Sequence, residues 1–314
     1  MMNNTWKNQC NYPAGTVITG KWHRHRYEIV RKLGSGANGV VYLARSSFGY
    51  IALKISMDSV SITTEVNVLK SLEKVQGSAL GPSLYDVDDW DSGINRIHFY
   101  AMEYIQGREL LAFIKEKGLS WAGVMIVQLL DVLEDLHQKG WIFGDLKPEN
   151  LIVAGPTPKI RCIDVGGTTM KGRAIKEFTE FFDRGYWGLG SRKAEPSYDL
   201  FSTAMLMINL YYPKRFVKKE ESLKQLTAII QGNKDLIKFE SVLLKALLGK
   251  YQSAKDMKNE LLVNLSAGER SDGQRTTRYA PRYKKKRMRS FLETVSILLI
   301  TVILYTLYIF GYIL

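Results

Sequence analysis

From Tyr27 onward the chain sets short apolar runs between glycines. Residues 27–33, 40–45 and 50–55 read as three β-strands, punctuated by Gly34, Gly36, Gly39 and Gly49. A helix is expected over residues 63–72, and residues 98–103 form another apolar strand. Past Gly107 the period lengthens. Ser120 reads as an N-cap, apolar residues then recur at helical spacing, and Gly140 closes the helix. A hairpin is expected over residues 151–154 and 159–163, turned at Gly155-Pro156, and the pattern beyond Asp199 is mostly helical to Leu262. No internal repeat is evident. Strands first and helices after predict a two-lobed α+β architecture over residues 27–263.

Three stretches fall outside that pattern. Residues 1–26 read as a poorly ordered or loosely attached leader, polar at its start and without the apolar core of a signal peptide. A small basic patch over residues 21–26 is read as solvated surface. Residues 264–290 carry few apolar side chains and many charges, as a linker does. Residues 291–314 are expected to form a transmembrane helix. Its last twenty residues, Val295 to Leu314, hold no formal charge, and at about 1.5 Å per residue they span roughly 30 Å of hydrocarbon.

Charge sharpens this division. The chain of 314 residues carries a net charge of +13, and residues 270–289 hold nine Lys or Arg against the single acid Asp272, a net of +8. The basic excess is thus a local feature placed just before the apolar stretch. By the positive-inside rule everything ahead of that stretch is cytoplasmic, with the C-terminus at the outer face. Arg275, Arg278, Arg282, Lys284, Lys285, Lys286, Arg287 and Arg289, with Tyr279 and Tyr283 among them, suit three tasks. They can act as an orientation signal, attract anionic lipid, or contact the phosphates of DNA while the tyrosines stack on bases. The only cysteines, Cys10 and Cys162, lack metal-ligand spacing and read as free thiols of a reducing compartment.

The run Gly144-Asp145-Leu146-Lys147-Pro148-Glu149-Asn150 places an acid, a base and an amide on one loop, and Asp164-Val165-Gly166 adds a second acid one hairpin later. Phosphoryl transfer from ATP needs such a set: an Asp to accept the hydroxyl proton, a Lys near the γ-phosphate, an Asn and an Asp for Mg²⁺. Those roles fall to Asp145, Lys147, Asn150 and Asp164. The block resembles the catalytic loop of Hanks-type (eukaryotic-like) protein kinases. Gly34-Ser35-Gly36-Ala37-Asn38-Gly39 lies between two strands, unlike the dinucleotide-binding turn, whose third glycine opens a helix. It is similar to the kinase lid over the ATP phosphates.

The resemblance covers residues 27–262 and implies a protein-kinase-like fold with a β-rich N-lobe and a helical C-lobe. It implies further that Lys54 contacts the α- and β-phosphates and that Glu65 holds Lys54 in place, with Glu73 as the alternative. Met102-Glu103-Tyr104-Ile105 resembles the hinge between lobes, where backbone near Glu103 and Ile105 binds adenine and Met102 limits the pocket's depth. Leu33, Gly34, Ser35, Gly36, Gly39, Val41 and Ala52 complete the implied nucleotide site. Asp199 to Ser202 and Lys250 to Ala254 resemble later kinase segments. The family implies ATP and Mg²⁺ as cofactors and Ser/Thr hydroxyls of proteins as acceptors, and self-association is a further expectation. Thr168 and Thr169 are candidate autophosphorylation sites. The expected layout resembles that of short bacterial kinases with a cytoplasmic catalytic domain, a basic linker and one C-terminal membrane helix.

Three departures from the family stand out. Phe143-Gly144 replaces its usual His-Arg, removing the guanidinium that reads a phosphate on the activation segment. Gly188-Leu189-Gly190 stands where Ala-Pro-Glu belongs, and Lys250 replaces the arginine that pairs with that Glu. Loss of both ends of one ion pair implies a remodelled lower lobe. Two rival readings remain. One is a small-molecule kinase of the aminoglycoside or choline type, against which Lys147 argues. The other is a pseudokinase scaffold, against which the intact Lys54, Asp145 and Asp164 argue.

Overall fold

Six antiparallel strands build the first lobe: β1 (Val17–Thr19), β2 (Arg26–Ser35), β3 (Val40–Ser46), β4 (Gly49–Ser56), β5 (Leu84–Asp91) and β6 (Arg96–Glu103). Their order in the sheet is β1-β2-β3-β4-β6-β5. The computed structural model describes residues 10–36, 39–73, 81–93 and 95–276. Side chains alternate across the sheet with period two. Tyr27, Ile29, Tyr42, Ala44, Ile51, Leu53, Phe99 and Ala101 pack in one buried cluster, while Ala52, Tyr100 and Met102 join a second cluster on the other face.

Residues 10–26 differ from the leader expected there. β1 pairs with β2, Cys10 and Ile18 are fully buried, and the Tyr42 hydroxyl donates to the Cys10 carbonyl at 2.6 Å. The apolar anchors in this stretch are single residues, too sparse to show a period.

Helix α1 (Ser59–Glu73) packs on β4, β5 and β6 and begins earlier than its sequence pattern suggests. The Asp58 carboxylate accepts from the Val60 N–H at 2.9 Å and caps it. β-branched Val60, Ile62, Thr63 and Thr64 mask the helix in propensity, and burial of Ile62, Val66 and Leu69 overrides it. β5 also escapes the pattern, because its buried positions are Asp86 and Asp88 rather than apolar residues.

The second lobe starts with β7 (Gly107–Glu109), α2 (Leu110–Lys117) and α3 (Ser120–Gln138). Ser120 is the first residue of α3 and makes no capping bond, whereas Gly140, with φ +79°, ends that region as expected. β8 (Trp141–Ile142), β9 (Leu151–Ala154), β10 (Lys159–Cys162) and β11 (Thr169–Met170) make two small sheets, β10-β9-β7 and β11-β8. Then come α4 (Pro196–Tyr211), α5 (Ser222–Gln231), α6 (Glu240–Leu247) and α7 (Ala254–Thr276). Every residue of α4 from Tyr198 to Leu210 is buried, which makes it the core of the lobe.

α7 carries helical backbone to Thr276, into the stretch expected to be linker. Among the described residues no helix is long and apolar enough to cross a membrane. The expected membrane helix over residues 291–314 and the basic residues from Arg278 to Arg289 lie outside the described residues.

Candidate active site

A cleft of about 580 Å³ opens between the two lobes. It is lined by Leu33, Gly34, Ser35, Gly36, Gly39, Val41, Ala52, Lys54, Met102, Glu103, Ile105, Lys147, Asn150 and Asp164, all expected at a nucleotide site. β3 and β4 set Val41 opposite Lys54, and β4 and β6 set Lys54 opposite Tyr100. Lys54 is buried, and its Nζ lies 2.6 Å from Glu65 Oε2 and 3.6 Å from Asp164 Oδ1. The Tyr100 hydroxyl donates to the same Glu65 oxygen at 2.7 Å, and the Ser61 hydroxyl to the other at 3.3 Å. Glu65 is therefore fixed from three sides. Burial pulls the Lys54 ammonium down, but the carboxylates of Asp164 and Glu65 outweigh it and hold its pKa above the ordinary value. Glu73, the alternative partner, ends α1, and its side chain lies outside the described residues.

The hinge glutamate turns its side chain to a structural task. Glu103 accepts from both terminal nitrogens of Arg161 on β10, at 2.8 and 3.2 Å, which ties β6 to the second lobe. Its own N–H donates to the Ser83 carbonyl at 2.8 Å.

The catalytic loop hangs from α4. Asp199, with no exposed surface, accepts from the backbone N–H of Phe143 at 2.8 Å and of Gly144 at 2.9 Å. It also lies 2.8 Å from His137 Nε2. Gly144 has φ +82°, and a Cβ there would stand 2.7 Å from the Gly167 carbonyl oxygen. The arginine usual at this position in the family has neither the backbone conformation nor the room.

Asp145 contacts the Lys147 ammonium directly, and Asn150 Nδ2 donates to the Asp145 carbonyl at 2.9 Å. That bond leaves Asn150 Oδ1 as the atom able to meet a cation. Asp164 accepts from the Gly166 N–H at 2.9 Å through one oxygen only. An amide oxygen and a carboxylate on one cleft fit Mg²⁺, which prefers oxygen ligands. The glycine turn and Lys54 fit a polyphosphate.

Thr179 went unrecognised in the sequence. Its hydroxyl donates to Asp145 Oδ1 at 3.0 Å and lies 3.3 Å from Lys147 Nζ, so it bridges the acid and the base. Thirty-four residues separate it from Asp145. No local periodicity or spacing marks it; only the tertiary fold does.

The activation segment, from Asp164 to Asp199, is pinned by a different set of charges from the family's. Asp183, fully buried, accepts from the Tyr198 hydroxyl at 2.9 Å, the Tyr186 N–H at 2.8 Å and Arg192 Nε at 2.8 Å. Arg184 donates to the Ser191 carbonyl, to Ser197 Oγ and to Glu195 Oε1, at 2.6, 2.7 and 2.5 Å. These contacts hold the loop in which Gly188-Leu189-Gly190 replaces the usual motif. Thr168 and Thr169 are 3% and 2% exposed, and Thr169 sits in β11 paired with β8. Neither hydroxyl is accessible for phosphorylation in this arrangement, which corrects the expectation for both.

This geometry is that of a protein kinase, and the chain belongs to the protein kinase domain family, which matches residues 27–289. It is a serine/threonine protein kinase of the bacterial Hanks type. Serine/threonine-protein kinase YabT of Bacillus subtilis is 49% identical over 96% of this chain and 96% of its own length. Serine/threonine-protein kinase D of Synechocystis is 26% identical over 86% of this chain and 59% of its own length. The probable serine/threonine-protein kinase CPE1738 of Clostridium perfringens is 31% identical over 43% of this chain and 21% of its own length.

Proposed function

We propose that the chain transfers the γ-phosphate of MgATP to Ser or Thr hydroxyls of proteins, itself included, from a position on the cytoplasmic face of a membrane. One observation carries the catalytic part. Lys54, ordered by Glu65 at 2.6 Å, meets Asp164, Asn150 and Lys147 in a single cleft, with Asp145 beside Lys147. Bound Mg²⁺ would supply charge neutralisation on the phosphates.

The chain's own groups do the rest. Lys54 holds the α- and β-phosphates, and the glycine turn covers them with backbone N–H groups. Because the Glu103 N–H is already bonded to Ser83, adenine is met by the Glu103 carbonyl and the Ile105 backbone. Asp145 accepts the proton of the attacking hydroxyl, and Lys147 offsets charge on the transferred group. Asn150 and Asp164 hold the cation.

The test is label transfer from γ-labelled ATP to a generic protein substrate by the full chain. Asp145→Asn is expected to lower the rate about 10²–10⁴-fold. Undiminished transfer by that variant, or none by the native chain, would sink the catalytic assignment.

The apolar, uncharged residues 295–314 support membrane anchoring, and the basic run ahead of them supports contact with a polyanion, either anionic lipid or DNA, as a regulator. Ending the chain at residue 290 is expected to move it from the membrane fraction to the soluble one. A form ending at residue 294 is expected to retard DNA. Unchanged retardation after replacing the Lys and Arg residues of 284–289 by Ala would rule out the basic run as the DNA contact.

A further inference from the structure

β5 breaks the rule that inward positions of a strand are apolar. Asp86 and Asp88, two residues apart and so on one face, are both buried. A buried carboxylate is costly unless a cation or several donors meet it. Among the described ion pairs no Lys or Arg reaches either one; Lys21 and Arg96 pair with Asp91 instead.

What does reach them is the turn between β1 and β2. His23 Nδ1 lies 2.6 Å from Asp86 Oδ1 and 3.9 Å from Asp88 Oδ2, and His25 Nδ1 lies 3.0 Å from Asp86 Oδ2. Arg24, between the histidines, has φ +61°, a bend that lets both neighbours turn to one carboxylate. The turn is close: a Cβ on Gly20 would stand 2.3 Å from Asp88 Oδ2, and the Lys21 N–H donates to the Asp89 carbonyl at 2.7 Å. β1 and β5 are opposite edges of the sheet, so this turn closes the sheet on itself.

We propose that His23, Asp86 and Asp88 form a binding site for a divalent transition-metal ion of the Zn²⁺ type, lying outside the catalytic cleft, with His25 beside it on the other oxygen of Asp86. Ligands on a tetrahedral ion with bonds of about 2.0–2.1 Å stand about 3.3 Å apart. The separations of His23 Nδ1 from Asp86 and Asp88, 2.6 and 3.9 Å, bracket that value. His23 and His25 have side chains 56% and 42% exposed, free to adjust, and they give the ion a path from solvent.

The carboxylates are already oriented as metal ligands are. Asp86 accepts from the Tyr27 hydroxyl at 2.6 Å and the Val87 N–H at 2.8 Å. Asp88 accepts from the N–H groups of Trp22 and His23, at 3.0 and 2.8 Å. An imidazole with two carboxylates, and water in the fourth position, suits Zn²⁺, Co²⁺ or Ni²⁺, whereas Mg²⁺ favours an all-oxygen octahedron. Bound there, the ion would add positive charge beside two buried carboxylates and fasten the edge of the first lobe.

The test uses the full chain, freed of metal by chelation and held in excess Mg²⁺ to occupy the cleft. Equilibrium dialysis against Zn²⁺ is expected to show one tightly held ion, and Co²⁺ in its place the visible absorption of a tetrahedral centre. The double variant His23→Gln, His25→Gln is expected to weaken Zn²⁺ binding at least 100-fold while leaving label transfer from ATP unchanged. These side chains are exposed, and circular dichroism verifies that the variant folds; His23→Gln alone serves if it does not. His98→Gln, altering the nearby His98–Asp89 pair, is expected to bind as the native chain does. Absence of Zn²⁺ binding by the native chain, binding unchanged in the His23 variants, or binding lost in His98→Gln overturns the proposal.

Discussion

Gly144 and Thr179 together show how this kinase organises a catalytic loop without the family's arginine. At Gly144 the left-handed backbone and the absence of a Cβ, which would stand 2.7 Å from the Gly167 carbonyl oxygen, let the catalytic loop press against the loop after Asp164. Thr179 closes the arrangement from the activation segment by touching both Asp145 and Lys147. Thr179→Val keeps the shape and removes the hydroxyl. It is expected to lower kcat roughly 10–100-fold through misplacement of the acid, while KM for ATP stays near the native value because the cleft is untouched. Thr179→Ser is expected to recover most of the rate. Steady-state kinetics on the three forms decide the point; equal kcat for Val and native would remove Thr179 from the site.

At the scale of elements, the activation segment is held by Asp183 and Arg184 rather than by the ion pair usual in the family. Asp183→Asn weakens the hold on Arg192 and alters a fully buried acceptor. A loss of about 2–3 kcal/mol in folding stability is expected, read by thermal or denaturant unfolding. Arg192, 44% exposed, offers the weaker end of the same pair, so Arg192→Ala is expected to cost less.

Elements whose sequence follows its structural period were legible. The glycine-bounded strands β2 to β4, the apolar β6, the long α3 and the hairpin β9–β10 all lie where the pattern places them. Those that break their period were not. β5 buries aspartates, α1 opens on β-branched residues, and β1 is too short to alternate. The site followed the same division. Residues in local motifs, such as Asp145 to Asn150 or Gly34 to Gly39, could be read directly. Thr179, Asp183, Arg184 and the histidine turn act through contacts between distant segments, which a single sequence does not display.

Over the whole molecule, ionisable groups set the pH range of stability from both sides. Burial pushes the Glu103 and Glu260 carboxyls up, but hydrogen bonds from Arg161 and from Lys245 outweigh it, so both titrate below the usual carboxylate value. Arg184 lowers Glu195 in the same direction. A folded pKa below the unfolded one gives stability that is present above about pH 4.5 and is lost as pH falls through the folded values. On the alkaline side, burial pushes the Cys162 thiol up to about 12 and the Tyr211 hydroxyl likewise to about 12. The unfolded chain then ionises first, so stability falls as pH rises past the ordinary thiol and phenol values of about 9–10. Melting temperature against pH is therefore expected to show a plateau between about pH 5 and 8.5 with a decline on each flank. A melting temperature still rising at pH 10 would contradict the alkaline half.

The suspension of the catalytic loop from α4 has a consequence in time. The N–H groups of Phe143 and Gly144 are bonded to a carboxylate on a helix buried on every side. Opening those bonds pulls the loop away from a carboxylate held in the core, so both amides are expected to exchange slowly. Two amides beside Asp145 are thus expected to rank among the slowest in the chain to take up deuterium, in a loop that most exposed connections would outpace. On this reading phosphotransfer is run from a firmly anchored part of the protein, and the motions of turnover are expected in the segments around it.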